Sequence, residues 1–313
     1  MVRLFVRRAA ALVLTVFFLA LAVFVLLTVI PGDAARLVVG PEASEEAYQA
    51  ARAALGLDEP WPFRFAHWLA KALHGDFGDS WAFRGWAVRD LLAQALTVTV
   101  PLALWAAILA ALMGLVVGVG AAVRPGGWLD LLLMGLAQGG AAIPEFWLGV
   151  LLVGALAVTL RLFPSGGFPG WESPKALVHL VLPGLALALP RGAYLARMVR
   201  GSMVDVLSMR FVETARAKGA SEARVYVRHA LRNALIPLVA AFGLVFARLL
   251  AGALVIENVF SLPGMGWYAL RAMGGRDLPL LLGLAVVAGG LAVTVSTLAD
   301  LGFVLLDPRI RYR

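Results

Sequence analysis

The residues with most chemistry to offer are few, and they stand in apolar sequence. Glu145 and Arg248 lie within long hydrophobic runs. A charge at bilayer depth is costly and usually faces a cavity or a partner. Counted from the inner ends of their runs, Glu145 is about 16 residues in and Arg248 about 14, so both sit roughly 21–24 Å up at 1.5 Å per residue. Two readings stand: a pair lining a pathway, or a structural ion pair inside a helix bundle. Alone, Glu145 would suit the proton site of an ion-coupled carrier. His67 and His74 flank one predicted helix without other soft ligands, which does not make a metal site. There is no Cys, so disulfides, Fe–S clusters and thiol chemistry are excluded. No nucleophile–base set or paired carboxylates suggest catalysis. The absence of a GxxxxGK[ST] loop means that ATP is not held in the P-loop manner. The expectation is a chain that is not an enzyme, with no cofactor and no metal.

The most ordered polar stretch is residues 211–237, FVETARAKGASEARVYVRHALRNALIP. Residues 204–218 are predicted as a helix with Val206, Met209, Val212 and Ala215 near one face. Arg210, Glu213, Arg216 and Lys218 surround that face. Gly219 is a natural left-handed stop. Ser221 is placed to cap the next helix, which carries Arg224, Arg228 and Arg232. A helix pair joined at Gly219 is short and exposed, which suits force transmission. The plainer alternatives are a local Glu213–Arg216 pair, a simple helix end at Gly219, and arginines that serve topology.

These residues need a scaffold, and composition names it. The chain has 313 residues and is 61% apolar and 15% charged, with mean hydropathy +0.87. Soluble domains carry about 25% charged residues. Six spans are read at 9–30, 95–122, 129–160, 176–198, 234–256 and 279–305, each near or above the ~20 residues needed to cross a bilayer. The fold class expected is all-α, a polytopic membrane protein. The first run is longer than the 7–15-residue core of a signal peptide, and Pro31 ends it, so it is read as an uncleaved anchor. The net charge of +8 would suggest nucleic acid in a soluble protein, but here it sorts by loop. With the N-terminus inside, inner segments hold 16 Lys and Arg and outer ones 10, alongside 12 acids. Both termini and residues 199–233 are therefore expected in the cytosol.

Residues 31–94 are too long for a simple connector. Ser44 can cap a helix with Glu45 and Glu46 in its first turn, and Gly56 would end it. A second amphipathic piece, Phe63–Leu73, leads to the glycine-rich turn Gly75-Asp76-Phe77-Gly78-Asp79-Ser80-Trp81. Trp61, Trp68, Trp81 and Trp86 are candidate interfacial anchors. The segment is either a cap on the bilayer surface or a contact for an external partner. Inside the spans, Gly114, Gly118 and Gly120, and Gly135 with Gly139 and Gly140, offer small-residue faces for close helix approach. Pro144, Pro183 and Pro190 should kink or end helices.

The order Glu213-x-Ala215-(x3)-Gly219, with Asn233 and Pro237 beyond, resembles the EAA loop of bacterial ABC importer permeases. Further matches narrow the resemblance to the dipeptide, oligopeptide and nickel branch. They are Leu55-Gly56-Leu57-Asp58, the turn at 75–80, Ile143-Pro144 with Phe146-Trp147-Leu148-Gly149, Glu257 to Gly266, and the tail Leu306-Asp307-Pro308-Arg309-Ile310. Together they look like the first of two paired permeases. The resemblance implies a type I permease fold: residues 1–94 as an anchor with an external segment, and 95–306 as the permease core with its coupling loop at 199–233. It implies that Glu213, Ala215, Arg216, Gly219 and Ser221 couple the chain to two ATPase subunits. It also implies a second permease subunit, an external solute-binding protein and a peptide substrate, in the bacterial inner membrane. A nickel or other small solute is the alternative within the branch, and an ion-coupled carrier the alternative outside it.

Overall fold

The computed structural model describes residues 2–29, 34–40 and 42–306. Pro31 and the tail beyond Leu306 lie outside the described residues. The described chain is helical, with no strand and a single isolated bridge, Asp79 to Ala87. The helices are α1 (Val2–Val29), α2 (Ala34–Val39), α3 (Glu45–Ala54), α4 (Trp61–Ala72), α5 (Val88–Ala122), α6 (Trp128–Ala142) and α7 (Glu145–Leu152). They continue with α8 (Ala176–His179), α9 (Val181–Leu207), α10 (Arg210–Ala217), α11 (Glu222–Arg224), α12 (Leu231–Val259), α13 (Met265–Gly274) and α14 (Leu278–Leu306). Two π-helical segments, Val153–Thr159 and Val225–Ala230, extend α7 and join α11 to α12.

Three helices among the described residues are long and apolar enough to cross a bilayer: α1 over Ala10–Val29, α5, and α14 over Leu278–Leu298. The bent pair formed by α6 and α7 with its π extension makes a fourth. Helices α9 and α12, of 27 and 29 residues, are also of crossing length, but they carry arginines. The expected third span is not one rod. It breaks at Ile143-Pro144 with a bend of 103°. Proline pushes the residue before it into extended backbone, and Ile143 has ψ 128°. Of the other prolines, Pro183 falls in the first turn of α9 and Pro190 lies inside that helix.

The chain divides into two compact units, one of residues 1–98 and 263–294, the other of 99–262 and 295–313. In the first, Ala20 and Phe24 of α1, Phe65 of α4, and Leu278 and Leu282 of α14 form a buried core. Phe24 and Phe65 meet edge to face at 5.3 Å. Ser44 caps α3 by accepting from the Ala47 N–H at 3.3 Å, and Gly56, at φ +63°, ends it, both as expected. Of the four tryptophans, Trp61 and Trp86 are exposed, whereas Trp68 and Trp81 pack on the core. The glycine-rich turn has a structural partner, Asp277, which is fully buried ahead of α14. Its carboxylate accepts from the Ser80 hydroxyl, from the Ala82 N–H at 3.0 Å and from the Leu280 N–H at 3.0 Å. It therefore caps α14 and anchors the turn at once.

In the second unit α9 is the central helix, packed against α6, α7 and α12. Gly114 and Gly118 of α5 sit against it: a Cβ at Gly118 would lie 2.6 Å from the Ala196 carbonyl oxygen. Gly135, Gly139 and Gly140 have no neighbour within 4 Å of an added Cβ, so that expected packing face is unused here. Glu257, fully buried near the end of α12, accepts from Thr99 at 2.6 Å.

Asp277→Ala leaves three donors, two of them buried, without their acceptor and removes a helix cap. We expect a loss on the order of 3 kcal/mol, read as a lower unfolding midpoint of the detergent-solubilised protein. An unchanged midpoint would refute the anchoring role.

Candidate functional site

The polar stretch folds as a clamp. Helix α9 ends at Leu207, Met209 turns extended at ψ 145°, and α10 begins at Arg210. The single helix expected over 204–218 is thus broken at Ser208–Met209. The break lets Val206 and Val212 both be buried while Met209 turns outward. Gly219 has φ +81°, the left-handed geometry expected of it. Around it the N–H of Gly219 reaches the Arg216 carbonyl at 2.9 Å, and that of Ala220 reaches Ala215 at 3.1 Å. These bonds satisfy carbonyls that the end of α10 would leave open. Ser221 occupies the capping position of α11 with extended backbone, but its side chain makes no capping hydrogen bond.

Arg216 does not pair with Glu213. It reaches across the turn to Glu222, with Nε–Oε1 at 2.8 Å and Nη2–Oε2 at 3.1 Å. This two-pronged bond holds the Glu222 carboxyl below the usual carboxylate range and raises the guanidinium pKa. Both side chains are solvent-exposed, so the bond orients more than it stabilises. Glu213 is left exposed, and beside it Phe211 and Met209 expose apolar surface. The second helix of the expected pair is the foot of a longer one: α11 runs through the π segment into α12. Tyr226 in that segment donates to the Val123 carbonyl at 3.2 Å, tying the clamp to the end of α5.

The two intramembrane charges do not meet as expected. Glu145 opens α7 directly after the Pro144 break and accepts from Arg191 of α9, not from Arg248. The depth count that matched Glu145 to Arg248 assumed a straight third span, and the 103° bend removes that assumption. Room for the carboxylate comes from Gly252 of α12, where a Cβ would collide with Glu145 Oε2. Arg248 is exposed on a cavity that it shares with Arg191 and forms no ion pair among the described residues.

A second buried pair was hidden from the sequence. Arg200, counted there with the loop charges, binds Asp130 of α6 through two bonds of 2.5 Å. The Asp130 side chain is only 3% exposed and also accepts from the Gly126 N–H at 2.8 Å. Arg197 donates to Gln138, also on α6. The one available cue was three arginines within ten residues at the end of a span.

Apolar crossing helices, a polar clamp at their end and charges paired inside the bundle define a polytopic membrane permease. Residues 114–312 match the family described as binding-protein-dependent transport system inner membrane component, and residues 1–82 match its N-terminal membrane component. The chain belongs to this family. It is 38% identical over 308 residues to the probable peptide ABC transporter permease protein y4tP of Sinorhizobium fredii, covering 98% of each chain. Identity is also 38% to the dipeptide transport system permease protein DppB of Bacillus subtilis, over 99% of this chain and 98% of that one. The glutathione transport system permease protein GsiC of Escherichia coli is 36% identical, over 98% of each. Among solved structures, the inward-facing MetNI methionine ABC transporter superposes with TM-score 0.59 at 20% identity, covering 69% of this chain and 96% of that chain. An amino acid ABC transporter gives 0.53 at 18%, covering 68% and 92%. At these identities the structures show the shared fold.

Removing one partner of a fully buried pair costs about 3–5 kcal/mol, more than replacing both; the Glu145–Arg191 pair is part-buried, so a smaller loss of the same sign is expected. Glu145→Gln or Arg191→Met alone should therefore lower the unfolding midpoint, and Glu145→Leu with Arg191→Met should restore it. Restoration by Glu145→Leu with Arg248→Met instead would contradict the pairing.

Proposed function

We propose that this chain is the permease subunit of a binding-protein-dependent ABC importer that moves peptides across the bacterial inner membrane. The observation that carries the reading is the clamp at Gly219. Helix α10 stands exposed with Glu213, Phe211 and Met209 outward, while Arg216 and Glu222 bind it to the foot of α12. A push on α10 therefore reaches a helix of crossing length through one short turn. With no P-loop in the chain, the push comes from the two ATPase subunits of the complex, docking through residues 199–233. Glu213, Ala215, Arg216, Gly219 and Ser221 form the docking and turning residues. A second permease completes the path, and an external solute-binding protein delivers to it. Peptide cargo is supported by relatives named for peptide, dipeptide and glutathione transport. The carrier alternative loses support from Glu145, whose carboxylate is engaged by Arg191.

The Lys and Arg distribution supports a cytosolic position for both termini and the clamp. A cysteine at Ser221, in a chain with no native cysteine, should react with an impermeant thiol reagent only from the cytosolic side. Labelling of intact cells from outside would overturn the topology and the docking site together.

Gly219→Pro cannot adopt the left-handed turn, and Glu213→Arg reverses the charge on the exposed face. Each should leave the protein inserted but cut ATP-driven peptide uptake by roughly tenfold or more, the loss of about 1.4 kcal/mol of coupling. Wild-type uptake in both variants would count decisively against coupling through this turn.

A further inference from the structure

The cavity beside the Glu145–Arg191 pair carries more positive charge than the pair accounts for. It measures about 160 Å³ and is lined by Arg191, Tyr194 and Arg197 of α9 and by Arg248 of α12, among others. Glu145 neutralises one of the three guanidiniums. Among the described residues, Arg197 is met by the neutral amide of Gln138 and by no carboxylate. Arg191 Nε is buried without a hydrogen-bond partner. Arg248 is exposed on the cavity and forms no ion pair among the described residues.

The helices put these groups at one depth. Leu187 of α9 lies against Gly252 of α12, and the cavity joins 191–197 to 244–248, so the two helices run antiparallel. Arg191 lies ten residues after Val181, and Arg248 eleven before Val259. At 1.5 Å per residue each is about 15–17 Å from the same end of the pair, well inside helices of 27 and 29 residues. Excess charge at that depth is stable only beside water or a counter-ion. A lipid headgroup belongs at the membrane surface. A carboxylate on the transported solute reaches further in.

We infer that this cavity binds the C-terminal carboxylate of the peptide in transit, with Arg248 as the principal contact and the Tyr194 hydroxyl and Arg197 beside it. The inference rests on the peptide-importer reading and adds which group on the peptide is recognised. The free carboxylate takes up the unpaired positive charge. A peptide amide, neutral at the same position, leaves Arg248 desolvated without a partner.

The test uses the complete transporter, reconstituted in proteoliposomes with its binding protein saturated by either member of a peptide pair, the free acid or its C-terminal amide. Wild type should import the acid about tenfold faster than the amide, as expected for one charge-assisted hydrogen bond. Arg248→Gln should abolish the preference, so that acid and amide are imported at equal rates. Arg248→Lys should keep most of the preference, and it decides the matter should the glutamine variant fail to assemble. Equal rates for acid and amide in wild type, or equal losses for both in the variants, overturn the carboxylate site. Absence of any ATP-driven peptide uptake by wild type would instead overturn the peptide-importer reading, and the site with it.

Discussion

The second unit depends on one constraint: the three arginines of α9 take their partners from the bent third span. Helix α9 carries Arg191, Arg197 and Arg200, and each meets a group from the bent third span. Arg191 takes Glu145 of α7, Arg197 takes Gln138 of α6, and Arg200 takes Asp130 at the start of α6. Three contacts with named partners fix how α6 and α7 lie along α9 more strictly than apolar packing does. A leucine accepts many neighbours, whereas a guanidinium inside the bundle needs an acceptor, a counter-ion or water. The bend at Pro144 belongs to the same arrangement. It turns α7 so that Glu145, its first residue, faces α9.

The clamp proposed to couple the chain to ATPase subunits is closed by several kinds of contact. Gly219 supplies the turn, hydrogen bonds close it, and Arg216 to Glu222 spans it. Beyond the turn there is no loop: α11, the π segment and α12 run on without interruption. A π segment is a tolerated fault in the helical ladder and recurs where helices bear function. Here it lies where Tyr226 holds the foot of α12 to the end of α5.

Much of this was legible in the sequence, and the boundary is physical. Periodicity and run length locate α1, α5 and α14, because hydropathy is a local property. Ser44, Gly56 and Gly219 announce their roles, because capping and left-handed turns are settled within a few residues. Partners brought together by packing are different. Arg191 and Glu145 are 46 residues apart, and Arg200 and Asp130 are 70 apart. Their meeting depends on the direction of a bend that Pro144 permits but does not aim. The same gap explains Arg216, which chose Glu222 across the turn over Glu213 in its own helix. The outward face of Phe211 and the inward one of Asp277 were equally silent, since a residue type does not declare its side.

Helix α9 therefore has two kinds of interface, and they do different work. Toward α5 the contact is made by glycines and small side chains: Gly114 and Gly118 of α5 meet Leu195, Ala196 and Val199, and Gly184 of α9 lies under Trp105. Close backbone approach gives dispersion and sets a distance. Toward α6 and α7 the contact is made by ion pairs and a hydrogen-bonded amide, which set register because each donor needs its own acceptor. Gly252 joins the two strategies: its missing side chain is what admits the Glu145 carboxylate against α12. Small residues thus do more than bring helices close. At this position one creates the space in which a charge can be paired inside the membrane.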